Sequence, residues 1–257
     1  MATRTANADA TLDFIQVSQG RFSAVLLGES PLIMNCMSNK AKHQLLLPSG
    51  RKTGPEKAAS LKHDPLAEWR DSMYYARDPE SQTLFMMPAV AFKKAIMGAA
   101  IDIPGAKKAQ LGRLMYVEGD EVPIYGTPEV MMSVTRSADM NRTPDVRTRA
   151  IFPTWCAKIT IQHTEPMLRG QAVLKLLAAA GITQGIGDWR VEKGSGNFGR
   201  FQSTDDTHPQ VKLLMDAGGR EAQKEALSNP IAYDGETEAL LEWYAQEITR
   251  RGIKSVA

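Results

Sequence analysis

Apolar residues in the first part of the chain alternate with polar ones, and this two-residue period predicts β-strands. Leu12 to Gly28 follow it around the turn-prone Ser18-Gln19-Gly20, which indicates a strand or a hairpin. Leu32 to Met34 are expected to extend the same sheet. A short apolar strand at Leu84 to Met86 leads into a helical spacing that starts at Pro88. The first half therefore contains strands followed directly by a helix.

The alternation continues through the middle of the chain. It predicts a small hairpin from Leu114 to Val117 and Glu121 to Tyr125, joined by the turn residues Gly119-Asp120. Glu129 to Arg136 and Ile151 to Gln162 are predicted as two longer strands. These segments give the chain its main β-content.

Helical periodicity dominates the rest of the sequence. Thr164-Glu165-Pro166 is a helix-start signal, and the apolar stripe behind it predicts a helix from about Pro166 to Ala180 that ends at Gly181. A glycine-rich segment then leads to a final strand at about Phe198 to Gln202. From Gln210 onward the pattern is polar and helical, and it closes with an amphipathic segment.

The predicted order is strand, helix, strand, strand, helix, strand. This is the α+β, ferredoxin-like (RRM-like) arrangement, an antiparallel sheet with helices on one face. Such sheets and their loops take single-stranded nucleic acid. We expect residues 1–204 to form this core, with a long insertion at about 36–80, and residues 205–257 to form a C-terminal helical appendage packed on it.

The distribution of charge sharpens this picture. The 257 residues hold 31 Lys and Arg against 29 Asp and Glu, a formal charge of +2 that points to no polyanionic partner. From Asp205 to the end, however, ten acidic residues face six Lys and Arg, which gives −4 and leaves +6 for residues 1–204. The near-neutral total is therefore a cancellation between a basic core and an acidic end.

Two basic clusters lie in segments rich in turn-forming residues, so both are expected to be loops. One interpretation is that they are solvated surface; the other is that they contact nucleic acid, with the second cluster acting as a finger over a bound strand or into the next protomer. The first cluster comprises Lys40, Lys42, Arg51, Lys52 and Lys57, and the second comprises Arg136, Arg142, Arg147 and Arg149. His43 lies within the first segment and is a further candidate for contact with nucleic acid.

A glycine-rich segment with charged and aromatic side chains follows the second predicted helix. Glycines permit a positive φ and let backbone N–H groups approach a phosphate, although they are also what a tight turn needs. Its aromatic rings have two interpretations, stacking on bases or filling the core. The candidate binding residues here are Gly185, Gly187, Trp189, Arg190, Lys193, Gly194, Gly196, Phe198 and Arg200.

The segment from Gly185 to Phe201 resembles the glycine-rich loop of the RAMP superfamily, the ferredoxin-like proteins of CRISPR systems. Phe85 to Ala100, where a strand enters a helix through Met87-Pro88-Ala89, is similar to a strand and helix pair in the first half of those proteins. With the basic insertion, the chain looks most like the backbone subunits that line up along a CRISPR guide RNA. The resemblance implies an RNA partner, and related phage proteins share the same core.

Motifs for catalysis or cofactor binding are weak. The four histidines fall at no metal-ligand spacing, the two cysteines form no CxxC pair, and no Walker loop occurs, so we predict no metal and no cofactor. Asp64, Glu68 and Asp71 have the spacing of one exposed helix face. His43 lies where some RAMP-type ribonucleases keep a catalytic histidine. We find no membrane-spanning segment and expect a cytoplasmic protein.

The function that these patterns favour is non-catalytic binding of single-stranded nucleic acid, with RNA favoured over DNA. The opposite charges of core and C-terminal end predict a homo-oligomer that assembles head to tail along its ligand. Other subunits of a ribonucleoprotein complex are further candidate partners. A phage single-stranded DNA-binding or strand-annealing protein, a RAMP-type riboendonuclease and a phage structural protein remain as alternatives.

Overall fold

The computed structural model describes residues 15–46, 63–136 and 144–252 of the chain. The strands are β1 (Ser18–Gly28), β2 (Leu32–Met34), β3 (Met86–Pro88), β4 (Met115–Val117), β5 (Glu121–Tyr125), β6 (Glu129–Arg136), β7 (Pro144–Phe152), β8 (Cys156–Glu165) and β9 (Phe201–Thr204). The helices are α1 (Asn39–Leu46), α2 (Pro65–Asp71), α3 (Ala89–Ala99), α4 (Lys108–Leu114), α5 (Gly170–Thr183), α6 (Pro209–Ala217), α7 (Arg220–Ser228) and α8 (Gly235–Arg251). None of these helices is long and apolar enough to cross a membrane.

The larger sheet has the ferredoxin-like strand order. Its strands lie side by side in the order β3, β5, β8, β1, β9, all antiparallel, and β4 also pairs with β8. Helices α3 and α5 pack on one face of this sheet, where Phe92, Ile96, Val173 and Leu177 join its apolar core. The core elements occur along the chain in the order β1, α3, β5, β8, α5, β9. This order of strands and helices confirms the predicted fold class.

Alternation along β1 and β8 determines which side chains face the helices. The two strands pair from Ser18 opposite Glu165 to Leu27 opposite Cys156. Ile159 is buried under the helices, whereas the neighbouring Thr160 lies on the outer face. A register shift of one residue would expose the whole apolar set, so the pattern specifies this pairing.

Strands β4 and β5 do not form the hairpin that the sequence predicts. Tyr116 pairs with Gln162 of β8, and β5 pairs with an adjacent part of the same strand, so the two segments follow one edge in line. Between them Gly119 has a φ of 77°. The N–H of Ala89 donates to the carbonyl of Asp120 at 2.9 Å. The turn therefore separates β4 from β5 along the same edge of the sheet, and its carbonyl group fixes the start of α3.

A second, smaller sheet has the order β2, β7, β6. Leu32 to Met34 pair with β7 in this sheet, so the expectation that they extend the first sheet was wrong. The strand predicted over Ile151 to Gln162 is two strands in different sheets, separated by Pro153, Thr154 and Trp155. Pro153 lacks a backbone N–H donor, which explains why the ladder stops there.

The arginine-rich segment is a β-hairpin rather than an unpaired loop. Strands β6 and β7 pair along the whole of β6, with Arg136 at its end. Arg147 and Arg149 lie on β7 itself. Arg142 falls in residues 137–143, outside the described residues. The turn-forming residues of this segment led us to expect a loop. Pairing with β6 gives the backbone of β7 hydrogen-bond partners, so the segment forms a strand instead.

Helix α5 is displaced from its predicted ends. It starts at Gly170 rather than Pro166, because β8 stays paired as far as Glu165. It also passes through Gly181 instead of stopping there. A Cβ at Gly181 would lie 1.9 Å from the carbonyl oxygen of Phe201, so this glycine allows β9 to approach the helix. The predicted C-terminal stop was wrong for that reason.

The C-terminal helices pack on the core at three places, one of which is β6, where the N–H of Met132 donates to the hydroxyl of Thr237 of α8 at 3.1 Å. Val211 of α6 packs with Val25 and Leu27 on the outer face of the larger sheet. The buried Gln223 of α7 accepts a hydrogen bond from the N–H of Leu84 at 2.7 Å. Helix α6 thus covers part of the sheet face that faces away from α3 and α5.

Candidate nucleic-acid interface

The part of that outer face which α6 leaves open is polar. The guanidinium of Arg21 donates to both oxygens of Glu118 at 2.5 and 2.8 Å, and Gln162 donates to the same carboxylate at 2.7 Å. These hydrogen bonds hold the pKa of Glu118 down at about 2. Tyr116, with 49% of its surface exposed, lies opposite Gln162 at the edge of this face, next to the start of α3. The face differs from an RRM sheet, where several aromatic rings stack on bases.

The glycine loop, residues 184–200, follows a path that only glycine can take at several positions. Gly185, Gly187, Gly194 and Gly199 have φ angles between 68° and 81°. A Cβ at Gly199 would lie 1.7 Å from the carbonyl oxygen of Ile186. The glycines are therefore explained by backbone conformation and close approach, independently of any ligand.

Many backbone N–H groups of the glycine loop are already used inside the protein. Ile186 donates to the carbonyl of Gly199 at 2.9 Å, Asp188 donates to Ile33 at 2.9 Å, and Gly199 donates to Pro31 at 2.8 Å. Because these donors are occupied, a phosphate contact at this loop would depend mainly on side chains.

The three basic side chains of the glycine loop differ in their freedom. Arg190 bonds Glu192 at 2.8 Å and the carbonyl of Gly187 at 3.0 Å. Arg200 lies 3.2 Å from the carboxylate of Glu29. The side chain of Lys193 is 59% exposed and its amine is 3.9 Å from Glu192. Lys193 is thus the basic group of this loop with the loosest pairing.

Trp189 and Phe198 join the glycine loop to the smaller sheet. Both rings pack against a buried cluster that contains Ile33 and Ile151. The guanidinium of Arg149 lies 5.7 Å from the centre of the Trp189 ring. Burial lowers the pKa of Arg149 from its ordinary value, and Asp188 opposes that shift. These contacts place the two aromatic rings in a partly buried junction between loop and hairpin.

Arg149 connects the hairpin to that junction, whereas Arg147 does not. The side chain of Arg149 is 14% exposed, and its guanidinium lies 2.5 Å from Asp188. Arg147 is 55% exposed, and its nearest carboxylate, Asp145, is 3.1 Å away. Arg149 therefore has an evident structural role, and Arg147 is the more accessible of the two.

Three adjoining hollows surround the start of α3. One of about 550 Å³ lies between α3 and the glycine loop, and another of about 320 Å³ extends from Pro88 towards α1 and α2. A third, of about 490 Å³, lies between α3 and β4. Tyr74 and Pro88 line the first two, and Val90 lines the first and third. We call the three together the α3 groove.

In the part of the chain that the structure describes, the α3 groove holds three lysines without an ion pair, and it is also lined by the acidic residues Asp71, Asp120, Glu121, Asp188 and Glu192. Lys94 and Lys108 line its loop side, and Lys93 lines its β4 side. Within the described residues none of these three lysines makes an ion pair. Arg77, by contrast, lies 2.9 Å from Glu121. The ammonium groups of these three lysines are therefore not neutralised by a close carboxylate of the described residues.

Aromatic rings accompany these charges. Tyr74 and Tyr75 line the side of the α3 groove that faces α1 and α2, and Tyr116 lines the side that faces β4. Partial burial raises the pKa of Tyr74 and Tyr75 above the ordinary value, so both hydroxyls stay protonated at neutral pH. Rings beside lysines are typical of surfaces that hold single-stranded nucleic acid.

The sequence-based candidates fall partly on this groove. Four of the candidate binding residues line the groove, namely Lys42, Gly185, Gly187 and Arg190. Lys40, Lys42 and His43 lie on the helix α1, so the expectation that this part of the first cluster is a loop was wrong. Arg51, Lys52 and Lys57 lie outside the described residues. Gly194, Gly196, Lys193, Trp189, Phe198 and Arg200 belong to other parts of the glycine loop, and Arg136, Arg147 and Arg149 belong to the hairpin.

Sequence reasoning missed the lysines of α3 and α4 and the tyrosines at Tyr74 and Tyr116. The available signal was the Lys93-Lys94 pair one turn after Pro88, on an otherwise apolar helix. Two adjacent lysines at the start of a buried helix must project from its exposed side, so they mark a solvent-facing edge.

The side chains that could ligate a metal are dispersed in residues 15–46, 63–136 and 144–252. No cluster of three His, Cys, Asp or Glu side chains in these ranges could hold a metal ion. Asp64 caps α2 by accepting the N–H of Ala67 at 3.1 Å, and Glu68 bonds His63 at 2.8 Å. Two of the three acidic residues that sequence spacing singled out are thus engaged in local structure, and the third, Asp71, lines the α3 groove.

Comparison with known proteins gives structural likenesses only. No protein-family model matches the sequence, and no curated protein does. The chain is similar to the crystal structure of Cmr6 from Pyrococcus furiosus, at 8% identity and a TM-score of 0.36, over 73% of this chain and 99% of that one. It is also similar to a chain of the Type III-B Cmr-beta structure bound to cognate target RNA, at 11% identity and a TM-score of 0.33, over 71% of this chain and 59% of that one.

With TM-scores below 0.5, the assignment of the fold rests on the strand order and on the placement of α3 and α5.

Proposed function

We propose that this protein is a non-catalytic subunit that binds single-stranded nucleic acid, RNA in preference to DNA, in the α3 groove. The observation that carries the proposal is the combination of Lys93, Lys94 and Lys108, which make no ion pair within the described residues, with the rings of Tyr74 and Tyr116. Lysines neutralise phosphates without reading sequence, and tyrosine rings stack on any base. Binding is therefore expected to tolerate many sequences.

The preference for RNA is supported by the resemblance of the glycine loop to that of the RAMP superfamily. The glycine loop forms one wall of the α3 groove through Gly185, Gly187 and Arg190. The arginine-rich hairpin is attached to the same loop through Arg149 and Asp188. A nucleic-acid strand bound in the groove would thus lie beside the glycine loop and near the arginine-rich hairpin, the two regions that the sequence singled out.

The two cysteines provide a test of the binding site without any mutation. Cys36 is partly exposed and lines the α3 groove, whereas Cys156 is fully buried. Burial raises the pKa of the Cys156 thiol to about 11, so almost none of the reactive thiolate forms at neutral pH. We expect a thiol reagent to label one cysteine in the native protein and two in denaturant. Saturating single-stranded RNA should slow the native reaction at least about five-fold, because a bound strand would cover Cys36.

A Cys36→Ser variant should lose the fast native reaction, which assigns that reaction to Cys36. Unchanged labelling in the presence of RNA that is shown to bind would place the strand elsewhere. RNA recovered after the incubation should have its original length. Shortening that His43→Ala or Asp64→Ala removes would instead favour a riboendonuclease, and faster pairing of complementary DNA would favour a strand-annealing protein.

The proposal includes head-to-tail assembly of copies along the ligand. Helix α8 presents exposed Glu236, Glu242 and Trp243, and the hairpin presents exposed Arg136 and Arg147. Two different surfaces of opposite charge make a heterologous contact, which extends into an open array when its rotation does not close. The acidic end of one copy would then meet the basic hairpin of the next.

Sedimentation with RNA of increasing length tests this assembly. We expect the sedimentation coefficient of the complex to rise stepwise with RNA length. Glu236→Lys with Glu242→Lys should abolish the steps while binding of a very short RNA persists, because the acidic surface lies outside the α3 groove. A complex with one copy of the protein at every RNA length would contradict head-to-tail assembly and leave binding itself intact.

A further inference from the structure

Val90 projects from the first turn of α3 between two hollows of the groove. It is 52% exposed and lines both the hollow beside the glycine loop and the hollow beside β4. Lys94 belongs to the loop side and Lys93 to the β4 side. An extended ligand that reaches both lysines must therefore pass over an apolar, branched side chain.

Aromatic rings lie on both sides of Val90. Tyr116 lines the hollow beside β4, and Tyr74 lines the hollow beside the glycine loop. The hydroxyl of Tyr74 donates to the carbonyl of Asn35 at 3.3 Å, which helps to hold its ring in place. Each hollow thus offers a flat surface against which a base can stack.

The position of Val90 is firmly set. The N–H of Ala89 is bonded to the carbonyl of Asp120, and Phe92 of the same helix is buried in the core. A valine on a helix is nearly confined to one χ1 rotamer, so its two methyl groups have a fixed direction. A rigid apolar projection of this kind can part a base step without being pushed aside.

We propose that Val90 inserts between two neighbouring bases of the bound strand, leaving one base to stack on the Tyr74 side and the other on the Tyr116 side. This inference rests on the proposed function and deepens it by specifying the conformation of the ligand. Stacking on the two rings compensates for the base–base contact that is lost. The groove therefore favours a single strand, whose bases unstack at a lower cost than those of a duplex.

RNA containing 2-aminopurine measures the insertion directly, because this base fluoresces more strongly when it is unstacked from its neighbours. The probe is moved one position at a time along a short RNA that holds one copy of the protein. At saturation we expect a brightening of at least about two-fold at one step of the RNA and little change at the other positions. Val90→Ala should remove most of that brightening, and Val90→Ile should retain it.

Leu213→Ala is the matched control, because Leu213 is equally apolar, 65% exposed and located on α6 outside the groove. It should leave the brightening unchanged. Brightening that persists in Val90→Ala, or its absence in a saturated wild-type complex, would overturn the insertion while leaving the proposed function in place. Failure of the wild-type protein to bind any single-stranded RNA would overturn both.

Discussion

Replacing Lys94 and Lys108 together by glutamate is expected to lower the affinity for single-stranded RNA on the order of 1000-fold at low salt. Both lysines line the loop side of the α3 groove, and neither makes an ion pair within the described residues. Each replacement exchanges an attraction of roughly 1 kcal/mol to a nearby phosphate for a repulsion of similar size. Fluorescence anisotropy titrations at several salt concentrations provide the measurement.

The dependence on salt should change as well. Each phosphate contact with a single strand contributes about 0.7 to the slope of log affinity against log salt concentration. Loss of two contacts should therefore reduce that slope by about 1.4. Nucleic acids of different sequence should be affected alike, because phosphate contacts carry no base information.

Lys175→Glu with Lys212→Glu is the control for total charge. Both lysines are exposed on helices and line no part of the groove, and the pair changes the net charge by the same amount. This variant should bind nearly as well as the wild type. An equal loss of affinity in both variants would show that the overall charge attracts the RNA and that the groove does not.

The ferredoxin-like fold was predictable because its signals are local. The alternation that buries Ile159 and exposes Lys158 follows directly from the sequence, as does the helix that begins after Pro88. Such patterns reflect which face of an element is buried, and each can be recognised within about ten residues. They therefore give the order of elements, from which the fold class follows.

Partner strands were harder to predict because pairing is a long-range property. Nothing in the local pattern of Leu32 to Met34 distinguishes pairing with β7 from extension of the larger sheet. The hairpin strand that carries Arg147 and Arg149 was hidden by turn-forming residues on either side of it. In both cases the register is decided by a partner far along the chain.

The α3 groove could not be recognised from sequence because tertiary contacts assemble it. Tyr74 precedes α3, Lys108 follows it, and the glycine loop lies some eighty residues further on. The glycines themselves indicate an unusual backbone, but their spacing does not show that donors such as the N–H of Asp188 are bonded internally. The sequence thus identified the glycine loop as one side of the groove, but it did not identify Lys94 and Lys108.

Three alanine substitutions in the glycine loop are expected to destabilise the protein in the order Gly199, Gly185, Gly194. All three glycines have a φ near 70°, so each alanine incurs a similar backbone strain of about 1 kcal/mol. The added methyl group meets nothing within 4 Å at Gly194, an oxygen at 3.1 Å at Gly185 and an oxygen at 1.7 Å at Gly199. We expect Gly194→Ala to lower the free energy of unfolding by about 1 kcal/mol and Gly199→Ala by more than about 3 kcal/mol.

Urea denaturation compares these variants under identical conditions, and equal m-values would confirm that they unfold from the same native state. Gly194→Ala is the matched control, because it has the same chemical change and nearly the same φ as Gly199→Ala but no steric contact. If Gly199→Ala yields no folded protein, Gly185→Ala still gives a measurable intermediate step. Equal losses at Gly194 and Gly185 would mean that backbone strain alone explains the glycines. A graded loss would show that close packing of the loop against its own carbonyl oxygens is what requires them.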